Sequence, residues 1–65
     1  MGTLIARRQA LGLSQTEVAA RMRTSQSSVA RIESGAGDLR LTTVERYAAA
    51  VGMELDWQVR SMELR

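Results

Sequence analysis

The chain has 65 residues, a net charge of +2 and a composition that is 45% hydrophobic with one Trp, one Tyr and no Phe, so a single small domain must pack its core from aliphatic side chains. A chain this short buries only about 60% of the surface its unfolded form exposes, and a second subunit would help it. There is no cysteine and no histidine, which excludes disulfide staples, thiolate nucleophiles and imidazole or thiolate metal ligands, and neither a cofactor nor a metal is expected.

Apolar runs are only a few residues long, far below the roughly 20 that span a bilayer, and no secretory h-region follows Met1, so a soluble, cytoplasmic protein without a membrane partner is expected. All nine basic residues are Arg. A net charge this small does not identify a polyanion partner, and the placement of the Arg residues matters more.

Residues 3 to 11 place Leu4, Arg8 and Leu11 on one face of a first helix, with Gly12 where a left-handed terminating residue is wanted. Arg8 falls inside that apolar stripe. It either snorkels to solvent or needs an acidic partner, because an unpaired buried charge is costly. Ser14 followed by Glu17 is a capping box for a second helix over 15 to 22, whose buried face carries Val18 and Met22. Ser25 caps a third helix over 26 to 34, with Val29 and Ile32 inward. The stretch from Ser34 to Asp38 has turn chemistry, and Leu41, Val44, Ala48 and Val51 mark a fourth helix closed by Gly52. Its first capping position is Arg40 or Thr42, the latter offering a second capping box with Glu45.

After Gly52, Met53, Leu55, Trp57 and Val59 alternate with Glu54, Asp56, Gln58 and Arg60, the period-two signature of a strand. Leu55, Val59 and Met62 also fit helical spacing, so a helix is the competing reading. If two copies paired as antiparallel strands about a dyad at Trp57, Glu54 would lie opposite Arg60 and Leu55 opposite Val59. Met53, Leu55, Trp57 and Val59 would then form the apolar face of a dimerisation element over 53 to 65, and a homodimer is expected.

Two short helices joined by a three- to four-residue turn, the second opening on small polar residues, make a helix-turn-helix, which sets its second helix in the major groove. At about 100° per residue, Val29 and Ile32 lie on one side of the third helix and Ser27, Ala30, Arg31 and Ser34 on the other, with Gln26 at the exposed tip. Short side chains would let this face approach double-stranded DNA, and Gln and Arg match adenine and guanine edges. The bland alternative is an ordinary solvated helix face.

The segments Gly12-Leu13-Ser14-Gln15, Glu17-Val18-Ala19, Ser25-Gln26-Ser27-Ser28-Val29 and Arg31-Ile32-Glu33-Ser34-Gly35 resemble the lambdoid-repressor and Cro (XRE) family over roughly residues 4 to 52. The resemblance implies an all-α, compact four-helix domain of lambda-repressor-like type over residues 1 to 52. It implies base reading by Gln26, Ser27 and Arg31, and phosphate contacts from Gln15, Ser28 and Arg40. It also implies a buried ion pair between Arg8 and Glu33, which would supply the partner that Arg8 needs. Arg23 departs from the glycine usual in the family's turn; a left-handed backbone there would cost on the order of 1 kcal/mol, which an added phosphate contact could offset. The alternating tail also departs, since many relatives continue with a fifth helix. Arg7, Arg21 and Arg46 are open to reading as phosphate-facing or as scattered surface charge.

No acidic pair forms an acid-base constellation beside a nucleophile, and no enzyme is expected. The reading is a dimeric, sequence-specific transcriptional repressor on a pseudo-palindromic operator. Two alternatives stand beside it: an antitoxin of the HigA type, which would also bind a cognate toxin protein, and an adaptor that keeps the fold without touching DNA.

Overall fold

The computed structural model describes residues 1–35, 37 and 39–56. These residues form four helices in order: α1 (Gly2–Ala10), α2 (Gln15–Met22), α3 (Gln26–Ser34) and α4 (Leu41–Ala50). Local chemistry explains their starts. The Ser14 hydroxyl accepts from the Glu17 amide at 3.0 Å while the Glu17 carboxylate accepts from the Ser14 amide at 3.2 Å, so the capping box at α2 is complete. The Ser25 hydroxyl accepts from the Ser28 amide at 3.2 Å and opens α3. Of the two possible starts for α4, Arg40 is the one used: its carbonyl accepts from the Thr43 and Val44 amides at 3.0 and 3.1 Å. Thr42 therefore lies inside the helix, and the second capping box does not form.

The ends of α1, α2 and α4 share one design, in which a left-handed residue lets two amides turn back onto orphan carbonyls. Leu13 and Gly12 donate to Arg8 and Gln9, Thr24 and Arg23 to Ala19 and Ala20, and Met53 and Gly52 to Ala48 and Ala49. The left-handed residue is Gly12 at φ 70° in α1 and Gly52 at φ 72° in α4, but Arg23 at φ 56° in α2. Arg23 is the only non-glycine among the described residues with positive φ. Its Cβ meets the crowding that glycine avoids.

Leu4 of α1, Val18, Ala19 and Met22 of α2, Val29 of α3 and Tyr47, Ala48, Ala50 and Val51 at α4 make one core, with Leu13, Ile32 and Val44 packed at its margin. Full burial of an aliphatic side chain such as Val18 or Val29 contributes about 1.5–3 kcal/mol. Two residues assigned to apolar faces from spacing do not join this core: Leu11 is 44% exposed and Leu41 47%. Leu11 lies in the turn beyond α1 and Leu41 is the first residue of α4, so neither is turned inward by a helical neighbour on both sides. Tyr47, absent from that stripe, is the largest fully buried side chain among the described residues.

Residues 53–56 carry neither helix nor strand, yet Met53 and Leu55 are half-buried against the core while Glu54 and Asp56 are exposed. Trp57, Val59 and the remainder of the expected strand pair lie outside the described residues.

Candidate nucleic-acid interface

The candidate interface is built outward from one carboxylate. Glu33 of α3 accepts Arg8 Nε at 2.7 Å and Nη2 at 3.1 Å, a two-pronged pair with α1. It also accepts Gln15 Nε2 of α2 at 3.0 Å and the Tyr47 hydroxyl of α4 at 2.5 Å. One side chain thus ties all four helices together. Burial alone would push the Glu33 carboxyl up, but the hydrogen bonds from Tyr47, Arg8 and Gln15 and the Arg8 charge outweigh it and hold it below its ordinary value. The hydrogen bond to Glu33 raises Arg8 in turn, against burial. Burial and the adjacent Glu33 push the Tyr47 phenol up to about 12. The remaining Arg8 nitrogen, Nη1, donates to the Leu13 carbonyl at 2.9 Å.

From this hub the network reaches the surface. The amide of Gln15, anchored on Glu33, accepts Gln26 Nε2 at 2.6 Å, so the helix-opening glutamines of α2 and α3 stand side by side. Gln26, Ser27, Arg31 and Ser34 are exposed and Ala30 is half-buried, while Val29 on the other side of α3 is fully buried. The helical projection therefore places the polar face where the sequence puts it. Ser28 and Arg31 line a groove of about 290 Å³ between α3 and the start of α4, together with Thr24, Ile32, Leu39, Thr43 and Arg46. Ser28 also shares its hydroxyl with that of Ser25 at 2.9 Å. The Arg31 guanidinium runs beside Gly37, where an added Cβ would meet Nη2 at 3.6 Å.

The arginines divide by task. Arg46 donates to the Met22 carbonyl at the end of α2, and Arg21 to the Ala50 carbonyl at the end of α4 at 2.9 Å. Arg7 reaches the Val51 carbonyl at 3.4 Å. Helix C-termini carry orphan carbonyls and partial negative charge, so these cations stabilise the bundle itself. Arg23 is exposed in the turn between α2 and α3, and Arg40 is exposed at the start of α4. Sequence reasoning missed the carbonyl role of the first three and the place of Tyr47. The signal for Tyr47 was available: a phenol inside an apolar helix needs a hydrogen-bond partner.

Among the described residues, no group of three His, Cys, Asp or Glu side chains could hold a metal ion, and no helix is long and apolar enough to cross a membrane. The helix-turn-helix family model matches residues 4–58, which includes all four helices except the first two residues of α1. No curated protein matches the chain, and no solved structure does.

Proposed function

We propose, from the premise that the chain belongs to the XRE-like helix-turn-helix family, that it is a dimeric repressor which reads a pseudo-palindromic operator. The family is one of DNA-binding transcription regulators rather than enzymes, and the chain is a DNA-binding regulator of that type. The observation that carries the finer reading is the pairing of Gln15 with Gln26 on the exposed side of α3, opposite a buried Val29. Gln26 meets adenine through its amide, Arg31 meets guanine N7 and O6 through its guanidinium, and Ser27 is short enough to let both approach. Gln15, Ser28, Arg23 and Arg40 hold phosphates around this face, and the first amides of α2 add the donors that a helix N-terminus offers an anion.

Two copies would present their α3 helices to major-groove faces about 34 Å apart and repress by occupying the operator. The tail supports the dimer: Met53 and Leu55 already lie on the core side and Glu54 and Asp56 on the solvent side, the alternation that the strand pair through Trp57 and Val59 requires. Sedimentation across a concentration series tests it together with DNA affinity across a salt series. A dimer whose binding weakens linearly in log salt supports the reading, and a salt-independent or non-binding protein overturns it.

Exposed Leu39 and Leu41 favour one second reading. A toxin protein seated on them would make the chain an antitoxin that also represses its own operon, and a stable stoichiometric complex with a small co-encoded protein would decide for it.

A further inference from the structure

Glu33 is turned away from the reading face of α3, yet two hydrogen bonds connect it to the tip of that face. An ionised carboxylate only accepts, so the Gln15 amide atom 3.0 Å from Glu33 Oε1 has to be the nitrogen. The Gln15 oxygen is thereby directed at Gln26, and only the Gln26 nitrogen can meet it, at 2.6 Å. Each amide takes its orientation from the group before it, and the series begins at a group with no alternative orientation. A glutamine amide without such a neighbour can present donor and acceptor in either order by a half-turn about its last bond. The lowered Glu33 titration keeps the series intact at neutral pH.

We propose that Glu33 is a positioning residue for sequence recognition: through Gln15 it fixes the order of donor and acceptor along the outward edge of Gln26, and so the orientation of the adenine that Gln26 accepts. This rests on the reading of α3 as the DNA-reading helix. Adenine offers N7 as acceptor beside the N6 donor, and a reversed amide would set donor against donor and acceptor against acceptor.

The geometry also says what reverses the series. Each Glu33 oxygen receives two donors, and the shorter pair is on Oε2: Arg8 Nε at 2.7 Å and the Tyr47 hydroxyl at 2.5 Å, against Arg8 Nη2 at 3.1 Å and Gln15 Nε2 at 3.0 Å on Oε1. In Glu33→Gln the amide oxygen keeps the shorter pair and the amide nitrogen takes the place of Oε1, giving up the longer Arg8 bond and facing Gln15. Gln15 must then turn its oxygen inward and its nitrogen toward Gln26, and Gln26 reverses. Adding Gln15→Glu to Glu33→Gln restores the original order, because a carboxylate at position 15 accepts from both neighbours.

The test measures the ratio of affinities for the selected operator and for the same duplex with the Gln26-read A·T pair changed to G·C. Wild type, Glu33→Gln and Gln15→Glu/Glu33→Gln are compared after circular dichroism has shown each to be folded. The ratio is expected to be about 10-fold in wild type, near unity in Glu33→Gln, and restored in the double variant even if its overall affinity falls. The corresponding ratio at the pair read by Arg31 should stay constant throughout. If Glu33→Gln fails to fold, the comparison is made in Arg8→Glu/Glu33→Lys and Arg8→Glu/Gln15→Glu/Glu33→Lys, in which the ion pair is exchanged and an ammonium, which only donates, faces position 15. A folded Glu33→Gln or Arg8→Glu/Glu33→Lys protein that keeps the wild-type ratio overturns the proposal, as does a partner variant with Gln15→Glu that does not regain it. A wild type with no base preference at any position would instead overturn the underlying reading of α3, and this proposal with it.

Discussion

Arg8 and Glu33 meet through two parallel hydrogen bonds of 2.7 and 3.1 Å, with their side chains only 13% and 8% exposed. Removing one member of a buried pair leaves the other charged and unpaired, which costs about 3–5 kcal/mol. Glu33→Ala strands Arg8 and removes the acceptor of Gln15 and Tyr47 as well. For a domain of this size the loss corresponds to a fall in Tm of about 12 °C or more, read by thermal denaturation. An unchanged Tm would mean that the pair contributes nothing to the bundle.

The same carboxylate sets an acid limit. Its folded value lies below the ordinary 4.5, so its contribution is fully present above about pH 4.5 and is lost as the pH falls through the lower folded value. Glu33→Gln cannot titrate there. The Tm gap between wild type and Glu33→Gln should therefore narrow steadily from pH 5 to pH 3, and a constant gap would contradict this account. At the alkaline end, Tyr47 is raised from 10.0 to about 12. Its contribution is complete below pH 10 and disappears as the pH rises through 12, so Tyr47→Phe should flatten that limb.

Much of this arrangement is legible in the sequence because it rests on local rules. Ser14 with Glu17 and Ser25 mark the starts of α2 and α3 to the residue, and Gly12 and Gly52 mark two ends. The odd position of Arg8 in an apolar stripe already calls for either an acidic partner or a path to solvent, and the first is what forms. What local rules do not supply is the far end of a long-range bond: Tyr47 lies 14 residues from Glu33, and Arg46 lies 24 from the Met22 carbonyl. Leu11 and Leu41 mislead for the opposite reason. Hydrophobic periodicity counts them as inward, but each sits at a helix end, where the period no longer determines direction.

Arg23 carries a left-handed backbone that glycine adopts more cheaply. Arg23→Gly should stabilise the fold by about 0.5–1 kcal/mol, less than the full strain because glycine also gains freedom in the unfolded chain. If Arg23 also holds a phosphate, the same variant binds DNA more weakly, with a shallower salt slope. Lower stability in Arg23→Gly would contradict the strain argument.

The arginines that serve carbonyls should separate from those proposed to serve phosphates. Arg21→Met and Arg46→Met each lose a hydrogen bond to a helix end and should lower stability by about 1 kcal/mol while leaving the salt slope of DNA binding unchanged. Arg40→Ala should do the reverse, reducing that slope by about 1 with little change in Tm. Identical slopes in all three variants would remove Arg40 from the phosphate set.

The tail register predicts a charge reversal. Glu54→Arg should weaken self-association by facing Arg60 of the second copy, and Arg60→Glu in the same chain should restore it. Sedimentation equilibrium reads both, and a dimer indifferent to either change rules this register out.

The central claim is that α3 reads base sequence through Gln26 and Arg31, and selection of bound duplexes from a random pool at a stated salt concentration tests it most directly. The account predicts an inverted-repeat consensus from the wild type, relaxed at one half-site position by Gln26→Ala and at another by Arg31→Ala. Enrichment of no sequence, or a consensus that both variants leave intact, would contradict it.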